Sequence, residues 1–267
     1  FHCHLDSEDF DIDRENIILE MKKNHIIALT NTTNPQEYET TKKMFEKHTS
    51  VVKVCPGLYP QEAEKITDEN FEKYLKLIQK NKNDIKVIGE VGLDRHHTTD
   101  PALWQIQEKR FRAIIELAIK LNKPLCIHTR KAEKKVLEII EEYVTKTGFR
   151  KFNLHCFMGK KNLISKIKEL NIYCSIPLIL LNNESFQNLV RELSVRQLLV
   201  ETDSPFLNPD KTRNSPLNVP LIYAKIAEIK ALDKDEIKNI IYNNYSKLVM
   251  WILGKIGPKA TIVNKNN

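Results

Sequence analysis

Histidine and carboxylate residues occur at short spacings that suit metal binding. His2 and His4 are separated by one residue at the start of the chain, and Glu201 and Asp203 show the same spacing near the other end. In an extended strand, residues i and i+2 point to the same side, so each pair can offer both side chains to one ion. Two carboxylates on one face repel each other unless a cation lies between them. The pair Glu201 and Asp203 therefore favours a metal, although a capping pair for the following segment would fit the same spacing.

Three more residues of these types stand at the ends of apolar runs. Glu90, His128 and His155 each follow such a run, and Gly89 and Gly92 flank Glu90 closely enough to let the backbone turn tightly beside it. A carboxylate in this position is rarely buried without a partner, which could also be a Lys or Arg. A single such His is more often a hydrogen-bonded core residue. Taken together, four imidazoles and two or three carboxylates suit zinc, iron, manganese or magnesium.

A scaffold must bring these distant residues together, and the pattern of apolar runs predicts one. Eight short runs rich in β-branched residues alternate with amphipathic segments. The runs end near His4 and then cover residues 26–30, 51–54, 85–90, 124–128, 152–155, 172–176 and 197–203. The clearest helix is predicted over 102–121, where a 3.6-residue apolar period is broken only by Arg110 and Pro101 stands at the start.

Strands that alternate with helices predict parallel βα units in an α/β fold. An open, doubly wound sheet would give the same alternation. The candidate ligands, however, fall at the carboxyl ends of the predicted strands, where barrel enzymes gather their chemistry. The sequence therefore predicts a distorted (β/α)8 TIM barrel over residues 1–253, followed by a flexible Lys- and Asn-rich tail over 254–267.

Composition excludes several classes of protein. The chain has 267 residues, of which 41% are hydrophobic and 29% charged, enough for a sizeable core. The seven glycines form neither a dinucleotide-binding nor a P-loop motif. No apolar run approaches the roughly 18 residues of a membrane span, and no signal peptide is recognisable. The five cysteines form no C-x-x-C pair, which favours a reducing cytoplasm. The net charge of +7 favours polyanionic partners.

Five sequence segments carry a resemblance to a known family. "FHCHLD", "VIGEVGLD", "CIHTR", "LHCFMG" and "ETDSPFL" resemble motifs of the TatD family of metal-dependent deoxyribonucleases, within the amidohydrolase-like barrel superfamily. The resemblance covers almost the whole chain, to about residue 249. It implies a distorted TIM barrel with two divalent ions (Mg, Mn or Zn) that activate water to hydrolyse DNA phosphodiester bonds.

The resemblance also assigns roles residue by residue. The implied metal ligands, with Glu90 shared by both ions, are His2, His4, Glu90, His128, His155 and Asp203. The implied catalytic residues are Asp203 and Glu201. The implied substrate-binding residues are Arg130, Arg213, Asn214, Tyr59 and Gln61.

One segment departs from the family. Where the family commonly has G-x-H-P-H, this chain has Gly57-Leu58-Tyr59-Pro60-Gln61, so both histidines are replaced in a segment expected to touch substrate. "DRHH" after the fourth run and a short stretch between Asp203 and Arg213 differ as well. The replaced segment and "HTRKAEKKVLE" also fit a subset of TatD-like proteins in bacterial anti-phage defence systems.

Together with the resemblance, the sequence predicts a cytoplasmic deoxyribonuclease that acts on single-stranded DNA or frayed ends. It predicts no association with a membrane, and protein partners if the chain belongs to a defence system. Two alternatives stay open. One is another metal-dependent hydrolase on the same barrel, acting on an amide, lactone or phosphoester. Many such enzymes use a carbamylated Lys on the fourth strand, where this chain has Glu90. The other is a weakly active TatD-like subunit of a defence complex.

Overall fold

The computed structural model describes residues 1–249, in which strands and helices alternate. The strands of this region are β1 (Ala28–Asn31), β2 (Val52–Cys55), β3 (Ile88–Gly92), β4 (Leu125–His128), β5 (Phe152–His155), β6 (Tyr173–Ile176) and β7 (Leu198–Val200). Its helices are α1 (Arg14–Lys23), α2 (Pro35–Met44), α3 (Pro60–Lys65), α4 (Asp68–Lys80), α5 (Pro101–Leu121), α6 (Glu133–Thr147), α7 (Lys161–Leu170), α8 (Glu184–Glu192), α9 (Val219–Lys230) and α10 (Lys234–Val249). The predicted tail over 254–267 lies outside the described residues.

All strand pairings are parallel, as the alternation predicts. β1 pairs with β2, and β3 to β7 pair in chain order. The two sheets are joined by hydrogen bonds next to β2, where the Gly89 amide donates to Pro56 and the Leu58 amide donates to Glu90, both at 2.9 Å. This α/β fold with a parallel sheet confirms the predicted fold class.

The first predicted strand is shorter than expected, because the chain forms only a single parallel bridge there, between Cys3 and Thr30. The Asn31 amide donates to the Cys3 carbonyl at 2.9 Å, and on the other side the His4 amide donates to Ser204 at 2.7 Å. This segment therefore lies between β1 and the chain that follows β7. Cys3 packs into an apolar cluster with residues of α1.

Helix α5 begins one residue before the predicted segment and ends where predicted. Asp100 accepts a hydrogen bond from the Ala102 amide at its start, and Asn122 ends it in the left-handed conformation. The one polar residue of the buried stripe, Arg110, is 5% exposed. Its guanidinium donates to the Ile66 carbonyl and lies 2.9 Å from a carboxylate oxygen of Asp68, which satisfies the buried charge.

The largest apolar cluster lies between the sheet and the helices that cover it, and the candidate ligands stand at the carboxyl ends of the strands. Within residues 1–249, no helix is long and apolar enough to cross a membrane. The parallel strands thus deliver side chains from distant parts of the sequence to one edge of the sheets.

Candidate metal centre

Four possible ligand atoms lie close together next to the N-terminal segment. The Nε2 atoms of His2 and His4 lie 3.2 Å apart. Asp203 Oδ1 lies 3.2 Å from the first of them and 3.7 Å from the second. Glu90 Oε2 lies 3.7 Å from His2 Nε2 and 3.8 Å from His4 Nε2. The atoms of His2, His4 and Asp203 all lie within 4.8 Å of one another, close enough to hold one cation, and Glu90 lies beside both histidines.

A second set of donors faces the other oxygen of the same carboxylate. Glu90 Oε1 lies 2.7 Å from His128 Nδ1 and 3.7 Å from His155 Nε2. Glu90 is 3% exposed, and it is placed by β3 between the two sets of imidazoles. Its two oxygens thus point to two neighbouring groups of nitrogen donors, and the closest of these contacts, to His128, is a direct hydrogen bond.

The imidazoles of the first set are each oriented through their second nitrogen. His4 Nδ1 lies 3.0 Å from the Asn31 carbonyl oxygen, and His2 Nδ1 lies 3.4 Å from Cys126 Sγ. Because a carbonyl oxygen can only accept, His4 donates from Nδ1 and leaves the lone pair of its Nε2 free to bind a cation.

The imidazoles of the second set are held by carboxylates instead. Asp94 Oδ2 lies 2.9 Å from His128 Nε2, and Glu201 Oε2 lies 3.0 Å from His155 Nδ1, although its direction departs from that of a hydrogen bond. Glu201 also accepts hydrogen bonds from the Cys156 amide and the Ser175 hydroxyl. All four imidazoles thus present the opposite nitrogen to the cluster, a recurrent feature of metal-binding histidines.

Burial and mutual contacts shift the ionisation of the protein's own groups. Burial, together with the neighbouring imidazoles, lowers the pKa of His2 well below its usual value, so this ring is neutral. Burial raises the pKa of Asp203 to about 6. Burial also opposes ionisation of Glu90, but the hydrogen bond and the charge of His128 lower the pKa of Glu90 to about 2. Burial opposes protonation of His155, but the charges of Glu201 and Asp203 raise the pKa of His155 to about 10. The carboxylates of the cluster thus attract positive charge, which a divalent cation could supply in place of a proton.

Gly89 and Gly92 are required by the close approach of β3 to β4. A Cβ atom at Gly89 would lie 2.4 Å from the Cys126 carbonyl oxygen, and one at Gly92 would lie 2.1 Å from that of His128. Both glycines have φ values, 141° and 149°, that side chains rarely allow. They permit the contact that sets Glu90 against His128, which agrees with the predicted tight backbone.

Glu201 and Asp203 differ from the simple pair that their spacing predicts. β7 ends at Val200, and Asp203 adopts a left-handed φ of 53°, so the period of two no longer applies. Asp203 faces His2 and His4, whereas Glu201 lies behind His155. The two carboxylates therefore contact different imidazoles.

Two of the predicted substrate-binding residues, Tyr59 and Arg130, lie beside the cluster, and a third, Gln61, follows Tyr59 by two residues. The Tyr59 ring packs edge-on against His128, with ring centres 4.9 Å apart, and its hydroxyl donates to Asp94 at 3.1 Å. Gln61 is half-exposed on the first turn of α3. Arg130 is exposed and lies close enough to act electrostatically on Tyr59 and Cys156.

The other two predicted substrate-binding residues are engaged within the protein. Arg213 forms a two-pronged ion pair with Asp13, at 2.9 and 2.5 Å, and lies over the Phe10 ring. Asn214 is fully buried, and its amide donates to the Thr202 carbonyl at 2.7 Å. Their role in substrate binding stays a prediction, and their visible contacts stabilise the segment that carries Asp203.

Sequence analysis missed the residues behind the imidazoles. Asp94 accepts hydrogen bonds from His128, His97 and Tyr59. Its position four residues after Glu90, just past the end of β3, is the sequence feature that could have indicated a place near the cluster. Cys126 stands two residues before His128 on β4, so the alternation of the strand could have placed both on one side.

Replacing Asp94 by Asn should weaken metal binding by about 10- to 100-fold, because His128 loses the carboxylate that holds its proton. Titration with Mn²⁺ and calorimetric detection would measure the change. Asp84→Asn makes the same chemical change at an exposed carboxylate that pairs with Lys42, and it should bind as the wild type does. Equal affinity in both variants would show that Asp94 does not orient a ligand.

Comparison with known protein families places this geometry in context. The family described as "TatD related DNase" matches residues 1–250. An uncharacterized metal-dependent hydrolase of Methanocaldococcus jannaschii is 31% identical over 247 residues, which cover 92% of this chain and 94% of the relative. The human protein named deoxyribonuclease TATDN3 is 30% identical over 257 residues, covering 92% of each chain.

Solved structures show the same fold. A TatD homologue of Escherichia coli superposes with a TM-score of 0.82 at 20% identity, covering 93% of this chain and 96% of that one. A phosphotriesterase homology protein of Escherichia coli, solved with phosphate in its active site, superposes with a TM-score of 0.64 at 13% identity and covers 92% of this chain and 96% of that one. At these identities the likeness shows the fold alone.

Proposed function

The chain belongs to the TatD-related DNase family of metal-dependent hydrolases, and from this premise we propose that it hydrolyses phosphodiester bonds in DNA with two divalent ions. One observation carries the proposal. Glu90 Oε2 faces His2 and His4, whereas Glu90 Oε1 faces His128 and His155. A carboxylate whose oxygens face different nitrogen donors can bind one cation through each oxygen.

The proposed ligands divide into two groups that share Glu90. The first group is His2, His4, Asp203 and Glu90, and the second is His128, His155 and Glu90. Magnesium, manganese and zinc all suit this mixture of nitrogen and carboxylate donors. When bound, such a pair of ions lowers the pKa of a coordinated water and stabilises the negative charge that develops on the phosphate.

The carboxylates take different parts in the proposed reaction. The Asp203 side chain is 14% exposed, against 4% for Glu90, so Asp203 can both orient a water molecule and accept its proton. The Glu201 side chain is fully buried behind His155 and accepts a hydrogen bond from the Cys156 amide. Glu201 therefore acts as a positioning residue for His155.

In the proposed complex, positive charge on the protein attracts the phosphates of DNA, and the ends of the DNA strands reach the buried cluster. Arg130 is exposed beside the cluster, and its guanidinium can hold a phosphate next to the one that is cleaved. The net charge of +7 adds attraction to any sequence. A buried cluster is reached more easily by single strands or frayed ends than by the middle of a duplex. All five cysteines are unpaired thiols, so we propose that the enzyme works in the reducing cytoplasm.

Turnover of defined substrates tests the proposed function. The protein would be stripped with a chelator, resupplied with Mg²⁺, Mn²⁺ or Zn²⁺, and offered single-stranded DNA, duplex DNA, a lactone, an amide and a small phosphoester. We expect metal-dependent cleavage of DNA, faster on single strands. Turnover of the small substrates without DNA cleavage would indicate another hydrolase of the same fold, and DNA binding without any turnover would indicate a binding subunit.

A further inference from the structure

A large apolar side chain is exposed immediately beside the candidate metal centre. Phe206 is 57% exposed, and its ring centre lies 6.1 Å from that of His4, with the ring planes at 66°. The ring stands three residues after Asp203, at the side of the cluster where His4 and Asp203 are most open to solvent. An aromatic surface at this position can contact whatever occupies the cluster.

The backbone holds the ring in this exposed position. The Phe206 amide donates to the Asp203 carbonyl at 2.8 Å, which closes a tight turn. The Asn214 side chain donates to the carbonyls of Phe206 and Thr202, at 2.8 and 2.7 Å. The backbone N–H of Asn214 also donates to the Pro205 carbonyl at 2.9 Å. Because both ends of the turn are fixed, Phe206 is presented to solvent without the ordering cost of a mobile loop.

The aromatic residue at the other side of the cluster cannot serve in the same way. Tyr59 packs edge-on against His128, and its hydroxyl is bonded to Asp94. Phe206, in contrast, makes an aromatic contact only with His4 among the described residues and is more than half exposed. Nucleobases are the flat groups of a DNA strand, and stacking on an aromatic side chain is tolerant of sequence because every base has a π-face.

The Phe206 ring is close to the proposed phosphate site. Its centre lies 6.1 Å from the ring centre of His4, a proposed metal ligand. A base attached to a phosphate bound at the cluster can therefore reach the ring. A base inside a duplex is stacked on both sides, so it must first leave the helix to make this contact.

Resting on the proposed deoxyribonuclease function, we propose that Phe206 stacks on the nucleobase next to the cleaved phosphodiester, and that this contact selects strands whose base at this position is unpaired. The ring thereby sets which DNA substrates are cleaved efficiently. The metal ligands would position the phosphate, whereas Phe206 would position the base.

Kinetics on base-free DNA tests this inference. Wild type, Phe206→Ala and Phe206→Trp would be compared on a single-stranded oligodeoxynucleotide and on the same strand with abasic residues at successive positions near the cleaved bond. Phe206→Ala should lower kcat/KM on the normal strand by about 5- to 150-fold, and Phe206→Trp should retain it. One abasic position should slow the wild type by the same factor without slowing Phe206→Ala further, since both changes remove one interaction.

Controls separate stacking from other effects. Ile12→Ala removes another exposed apolar side chain, 98% exposed, and should cleave every strand as the wild type does. The Mn²⁺ affinity and Tm of Phe206→Ala should match those of the wild type. Equal cleavage of the normal strand by wild type and Phe206→Ala would overturn this inference alone, as would losses in Phe206→Ala that are equal on normal and abasic strands. Failure of the wild type to cleave any DNA would overturn the proposed function, and this inference with it.

Discussion

Replacing Asp203 by Asn is expected to lower the rate of DNA cleavage by about 10³-fold or more, since both proton transfer and cation binding are affected. Asp203 Oδ1 lies 3.2 Å from His2 Nε2, so the amide would remove a negative charge from the first group of ligands. The amide is also unable to accept a proton from water. Single-turnover cleavage of a labelled single strand, with saturating Mn²⁺, would measure the loss.

The matched control for this variant is Asp210→Asn, which changes an exposed carboxylate bonded to Thr212 in the same connecting segment. It should cleave DNA at the wild-type rate. Both variants should keep the Tm of the wild type within a few degrees, because neither change removes a buried apolar contact. If Asp203→Asn retained full metal-dependent cleavage, Asp203 would have no part in the reaction.

Replacing Glu90 by Gln should have the larger effect on metal binding. Glu90 is the one carboxylate of the proposed ligand set that faces both groups of imidazoles, so its loss should weaken both ions, whereas Asp203→Asn should weaken one. We expect affinity to fall by more than the roughly 10- to 100-fold cost of removing an outer partner. Calorimetric titration with Mn²⁺ would show whether two binding steps are lost together.

Glu142→Gln provides the control for Glu90, because Glu142 is an exposed carboxylate paired with Arg112. It should bind Mn²⁺ with wild-type affinity and number of sites. A Glu90→Gln protein that still bound two ions with unchanged affinity would show that Glu90 does not bridge them, and the two-ion arrangement would then need other ligands.

Regular elements are the part of this site that could be predicted from the sequence. His128 and His155 end strands whose apolar runs are visible in the sequence, and both strands begin and end within a residue of the prediction. Gly89 and Gly92 indicated the tight backbone around Glu90. These predictions rest on periodicity and on the steric freedom of glycine, both of which are local properties of the chain.

Residues in irregular segments were not predictable in the same way. Asp203 follows the end of β7 with a left-handed φ, so its direction cannot be read from strand alternation. Arg213 pairs with Asp13, at the other end of the sequence, and Asn214 bonds to backbone carbonyls on both sides of Asp203. Such contacts depend on how distant segments meet after folding, and no short-range pattern in the sequence encodes them.

The partners behind the imidazoles form an intermediate case. Cys126 lies on the same strand as His128, two residues away, so its position could have been derived from the alternation. Its contact with His2, at 3.4 Å, joins β4 to the N-terminal segment, and strand alternation could not have predicted this contact. The same holds for Asn31, which bonds to His4 through a backbone carbonyl that any residue type could supply.

The central claim is that one buried carboxylate joins two cation sites, and anomalous X-ray scattering from crystals grown with Mn²⁺ tests it most directly. Two peaks should appear in each chain, one beside His2, His4 and Asp203 and the other beside His128 and His155, with Glu90 between them. A single peak, or peaks remote from Glu90, would contradict the account.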